Sequence, residues 1–173
     1  MKKDIYFLLV TLLVAMLSLG VSSCSKDDED GGSAIDGKVV GTWHRVALEE
    51  WSYEAGVLVY HAKETATSTR EYEVVNGKET GKYWDRSYGG DLVEYTFGAE
   101  GSFCTKFVDS DERSGTYTAS NGNMKVTIGN YSTNSQYSFR GDQLIITAEE
   151  SGKHYEGRLV LVNYLEKGPY PGK

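Results

Sequence analysis

The chain has 173 residues, 39% of them hydrophobic and 25% charged, with a formal net charge of −7 at pH 7. An acidic balance argues against nucleic acid as a partner, because the phosphates would be repelled. It also argues against peripheral adhesion to anionic lipid, so any membrane anchor has to be a covalent one.

Residues 1–23 read as a secretory leader: Lys2 and Lys3 form a basic start, and an apolar run extends from Ile5 to Leu19. Small residues Val21, Ser22 and Ser23 follow, as in a cleaved signal. A membrane-spanning helix wants about 20 apolar residues, more than this run supplies. Removing the leader, which carries Lys2, Lys3 and Asp4, leaves 150 residues with a formal charge of −8, enough for one domain with a core. Leu19-Gly20-Val21-Ser22-Ser23-Cys24 resembles the lipobox of bacterial lipoproteins. The resemblance implies cleavage before Cys24, a diacylglycerol on its thiol and acylation of its new amino group. Two or more acyl chains give the stable anchoring that one chain does not.

Residues 24–36 then form an acidic tether, Ser25-Lys26-Asp27-Asp28-Glu29-Asp30 followed by Gly31-Gly32-Ser33, a composition that stays solvated and flexible. A lysine and several acids directly behind the lipid cysteine are similar to the signal that sends lipoproteins of the Bacteroidota to the outer face of the outer membrane. That resemblance implies a lipid-anchored, surface-exposed protein.

From residue 37 onward the signals are strands and turns. Proline occurs only at Pro169 and Pro171, and turn-forming pairs such as Asn76-Gly77 and Asn121-Gly122 punctuate the chain. Strand-like segments lie at Val39 to Trp51, with one or two more between Val57 and Trp84. The stretch 52–91 has a thin apolar pattern, and Thr65 to Thr69 reads equally as strand or loop. Beyond it, side chains alternate: Val93, Tyr95 and Phe97; Phe103, Thr105 and Phe107; Met124, Val126 and Ile128; Tyr137 and Phe139; Leu144, Ile146 and Ala148; Tyr155, Leu159 and Leu161. A period of two with one polar face predicts antiparallel sheet. Cys104 sits in one of these strands with no histidine nearby in sequence, which predicts an inert, buried thiol. With Cys24 lipidated, no internal disulfide can form.

Eight or nine short strands joined by short loops predict an all-β antiparallel meander that closes into a barrel of approximately eight strands, with a two-sheet β-sandwich as the alternative. Val39-Val40-Gly41-Thr42-Trp43 at the first strand, the hairpin Tyr95 to Phe103, Ser114-Gly115-Thr116-Tyr117 and Gly141 to Ile146 together resemble the lipocalins, and more closely the lipocalin-like domains of surface lipoproteins. The resemblance implies a barrel over residues 37–165, followed by a tail at 166–173. It also implies that Trp43 plugs one barrel end with Arg158 packed on it.

An eight-stranded barrel is either filled by side chains or holds one small ligand. The inward aromatic set Tyr95, Phe97, Phe103, Phe107, Tyr117, Tyr137 and Phe139 is the candidate lining for a small amphipathic or hydrophobic ligand, with tyrosine hydroxyls to orient it. The alternative is a solid barrel whose outside docks an envelope protein, a glycan or a host molecule. His44, His61 and His154 are scattered without ligand spacing, and no nucleophile or phosphate-loop motif occurs, so neither an enzyme nor a metal or other cofactor is expected. Asp109, Asp111 and Glu112 read as a solvated turn rather than a calcium loop. Glu49-Glu50 and Glu149-Glu150 read as outward charges at strand ends.

Overall fold

A computed structural model describes residues 35–87, 90–107, 112–151 and 157–171. Among these residues there are eleven β-strands and no helix. In chain order they are β1 Gly41–Glu54, β2 Val57–Thr65, β3 Thr69–Val75, β4 Lys78–Arg86, β5 Val93–Phe97, β6 Ser102–Phe107, β7 Glu112–Ser120, β8 Asn123–Ile128, β9 Tyr131–Arg140, β10 Gln143–Ser151 and β11 Gly157–Lys167. Every pairing is antiparallel. The tight links are made by residues that tolerate positive φ. Asn76-Gly77 has φ of 51° and 77°, and Asn121-Gly122 has 50° and 78°, the two-residue geometry that matches strand twist.

Strands β5 to β11 pair in chain order, and β11 pairs back to β1, which pairs to β5. That closes an eight-stranded barrel, as the sequence predicts. The closure depends on the length of β1. β11 runs along one edge of β1 from Trp43 to Glu54. The other edge is divided: Gly41 to His44 pair with β5, and Ala47 to Glu54 pair with β2. A bulge between Arg45 and Ala47 marks the division. Above it, β2, β3 and β4 form an extra hairpin pair outside the barrel.

The stretch 52–91 thus holds three further strands, where one or two are expected from the pattern. The reason is burial: all nine residues of β4 are exposed, so no apolar periodicity marks it. Thr65 to Thr69 is both strand and turn, with the Thr65 amide donating to the Ser68 carbonyl at 2.8 Å between β2 and β3. At the other end β11 continues to Lys167, two residues past the expected boundary. Ile35 and Asp36, expected in the tether, pack on the barrel instead. Ile35 contacts the core, and the Asp36 amide donates to the Ala119 carbonyl at 2.8 Å.

The alternation holds from β5 onward. Phe97 faces Phe103, Tyr117 faces Val126, and Leu144 faces both Phe139 and Leu165. These inward residues form one cluster that includes Val39, Trp43, Phe97, Leu144 and Leu165, each no more than 2% exposed. It lies at the end of the barrel carrying the first residues of β1 and the hairpins after β5, β7 and β9, here called the lower end.

Candidate functional site

Six of the seven aromatics that alternation nominates as a ligand lining are brought together, but as a plug. Phe97, Phe103, Tyr117 and Tyr137 are buried, and Tyr95 and Phe139 pack against them. Phe97 lies 5.3 Å from Phe103 and 4.9 Å from Tyr117 between ring centroids, and Tyr137 meets Phe139 edge-on at 6.1 Å. The hydroxyls are engaged internally. Tyr117 donates to the Gly98 carbonyl at 2.9 Å, and Tyr137 to Asp36 Oδ2 at 3.1 Å. Burial pushes the Tyr95, Tyr117 and Tyr137 hydroxyls above their ordinary pKa. Rings this large, on a wall of only eight strands, fill its lower half with one another. Phe107 stands apart, half-buried at the upper end of β6 opposite Val93.

Trp43 closes the lower end, its indole N–H donating to the Val39 carbonyl at 2.7 Å. The expected cation on it is not Arg158. β11 descends the barrel, so Arg158 lies at its top, about 30 Å of strand from Lys167. There Arg158 sits 4.9 Å from the Tyr53 ring centroid and 2.7 Å from Glu149. Lys167 occupies the expected place, 5.5 Å from the Trp43 ring centroid.

Above the plug the inner wall changes character. Register carries the inward face upward from Leu144 and Leu165 through Ile146 and Asn163, then Ala148, Leu161 and Glu50. Ile146, Ala148, Leu161, Asn163, Leu48 and Glu50 are all only partly buried. Glu50 is therefore inward, contrary to the expectation of paired outward charges; successive strand residues face opposite ways, and only Glu49 points out. Burial raises the Glu50 pKa, the Ser52 hydroxyl bonded to it at 3.2 Å lowers it, and the Glu64 charge raises it. Glu64, on the same face of β2 opposite Leu48, is raised by burial, lowered by Arg45 and raised again by Asp91. Arg45 also donates to the Asp91 carbonyl. Between them lies a notch of about 10 Å³, room for one water. Sequence reasoning missed Arg45, Glu50 and Glu64. The available signal was parity in β1, where a Glu-Glu pair has to place one carboxylate inward.

The outer face of the extra sheet carries a ring ladder. Trp51, His61 and Tyr72 stack across three strands at centroid distances of 4.6 and 4.2 Å, and Tyr83 continues the row at 6.3 Å. His61 is held through Nδ1 by Glu79 at 2.9 Å, while its buried Nε2 has no partner. His44 contacts the Gly168 carbonyl at 3.0 Å. Among the described residues no group of three His, Cys, Asp or Glu side chains could hold a metal. The Cys104 thiol is half-buried, and burial followed by the neighbouring Glu112 pushes its pKa up to about 11. Cys24, Asp109, Asp111, His154 and Tyr155 lie outside the described residues.

No known family model matches the chain, and no curated protein matches it.

Proposed function

We propose that the chain is an envelope lipoprotein, anchored in the outer membrane through acylated Cys24 and exposed at the cell surface, whose lipocalin-like barrel takes a small amphipathic ligand at its upper mouth. The carrying observation is a partly buried belt on the inner wall: Leu48, Ile146 and Leu161 are only partly buried, between Leu144 and Leu165 below, both 0% exposed, and Leu159 above, 6% exposed. Mixed walls of this kind, apolar with a few convergent polar groups, suit a ligand with one greasy and one polar side. Leu48, Leu161 and Ile146 supply apolar area; Arg45, Glu50 and Asn163 supply orientation. The ligand is held at the rim rather than swallowed, because the aromatics below leave no room.

A fluorescent amphipath such as N-phenyl-1-naphthylamine, titrated into the protein, tests the mouth. Leu161→Trp should abolish its binding while leaving the melting temperature nearly unchanged. Unaltered binding in that variant would place the probe elsewhere. Anchoring is tested separately, by the mass of the mature amino-terminal peptide with and without Cys24→Ser, and exposure by protease shaving of intact cells.

One observation favours docking as a second reading: on the fully exposed β4, Tyr83 and Trp84 are 49% and 54% exposed. Cross-linking from Trp84 that captures a single envelope partner, with no small molecule retained by the barrel, would favour it.

A further inference from the structure

The outside of the barrel has two characters. Over β7, β8 and β9 it is polar, as a wetted sheet face should be: Thr118 faces Lys125 and Lys125 faces Asn134, with Thr116, Gln136 and Ser138 beside them, all exposed. Over β10, β11, β1, β2, β3 and β4, neighbours in that order, it is largely apolar. Ile145, Val160, Val162 and Trp51 alternate there with the inward Ile146, Leu161 and Glu50, and Tyr72 and Tyr83 carry the row to the last strand of the sheet. The first five are partly buried and Tyr83 is 49% exposed. An apolar sheet face is normally buried against another layer. Among the described residues there is no helix and no second sheet to cover this one.

Geometry and charge narrow the occupant. His61 is stacked on both sides, and Arg70 lies 3.8 Å over the Tyr83 ring. The middle and end of the row therefore offer ring edges rather than the open faces on which a sugar stacks. The cations of the face are paired within it: Lys63 with Glu49 at 2.9 Å, Arg70 with Asp85 at 2.7 Å and Arg158 with Glu149 at 2.7 Å. The whole chain carries −7, so two copies repel where acid meets acid, and least where each acid holds its own cation. Size fits as well. Six strands about 4.8 Å apart, each with three outward residues about 6.8 Å apart, present roughly 600 Å² in projection. Side-chain relief raises the accessible area toward the 800 Å² or so that each member of a stable pair contributes.

We propose that this face binds the same face of a second copy, the two sheets packed together about a two-fold axis. Trp51, Val160 and Val162 lie at the centre of the contact, and the Arg70–Asp85 and Arg158–Glu149 pairs lie nearer its rim. The pairing is independent of any ligand in the barrel, because every residue in it points away from the interior.

Sedimentation equilibrium of the full chain in a density-matched non-ionic detergent gives the mass of the assembly directly. The parent should pass from one chain mass to two as its concentration rises through the micromolar range, and stop there. Val162→Lys and Tyr83→Glu should each weaken the association about a hundredfold, since symmetry puts the unpaired charge into the contact twice. Tyr83 is half-exposed on the last strand, so Tyr83→Glu keeps its fold, as circular dichroism melts will show, even where Val162→Lys does not. Thr118→Glu, on the polar side, should leave the association as it is. A parent that stays at one chain mass, an association that both face variants leave intact, an equal loss in Thr118→Glu, or a mass that climbs past two chains would each overturn the pairing.

Discussion

Truncating Phe97 separates a plugged barrel end from a ligand-lined one. Its ring is 1% exposed and has aromatic neighbours at 4.9, 5.3 and 6.5 Å, from Tyr117, Phe103 and Tyr95. Phe→Ala in a packed core costs about 3–5 kcal/mol, and three ring partners place this site toward the top of that range. A domain of this size has roughly 5–15 kcal/mol in total and loses about 2–4 °C of melting temperature per kcal/mol. Phe97→Ala should therefore fold but melt roughly 10 °C or more below the parent. Leu161→Ala, on the partly buried upper wall, removes about half of a full leucine burial and should cost about 1 kcal/mol. Urea melts of the two variants, read by far-ultraviolet circular dichroism, give both losses. Benzene should raise the melting temperature of Phe97→Ala and leave the parent unmoved, because a dry apolar void takes such a probe. Similar losses at the two positions, with no effect of benzene, would mean that the lower interior is hydrated and that the reasoning from ring packing is wrong.

Glu50 provides a pH signature. Its folded pKa is raised, first by burial, so its contribution to stability is full below the unfolded value near 4.5 and is lost as pH rises through the folded value. Glu50→Gln should thus melt close to the parent at pH 4 and above it at pH 8, in thermal scans across that range; a gap that does not vary with pH would contradict the burial. At His61, Phe keeps the stack while deleting both the Glu79 bond and the orphaned Nε2, so His61→Phe should lie within about 1 kcal/mol of the parent. His61→Ala loses both ring contacts and should cost about 2–3 kcal/mol in the same urea melts. With its thiol pKa near 11, Cys104 should be alkylated by iodoacetamide at pH 8 on the order of 100-fold more slowly than a free cysteine, measured by peptide mass mapping.

The barrel from β5 to β11 was legible because each strand buries one face and wets the other, and that contrast is written directly in the order of residues. That Phe97, Phe103, Leu144 and Leu165 all share the inward face follows from parity; the partner each one meets is set by register. β4 was not legible for the opposite reason: with both faces in solvent, Lys78 to Arg86 carry no period to read. Location along the barrel axis is also invisible to parity. The nominated aromatics do point inward, yet whether an inward ring lines a mouth or fills a floor depends on which end of the strand it occupies. Arg158 is expected on Trp43 from the resemblance rather than from parity, and the descending direction of β11 gives that position to Lys167. Glu50 could have been found, since an outward Glu49 requires its neighbour to face in, but the bulge after Arg45 that sets this parity leaves no mark in the residue types.

The seam between the first and last strands fixes when the domain can exist. Trp43 lies opposite Lys167, so the opening strand gains its β11 partner only once residues through 167 have been delivered. Until then β1 and β10 each present a bare hydrogen-bonding margin, and the ring cluster at the floor lacks its leucine wall from β11. Long-range closure of this kind is slow and leaves the incomplete chain prone to wrong pairings. Loss of the last dozen described residues, however small a fraction of the whole, would therefore cost the cylinder itself rather than one stave of it.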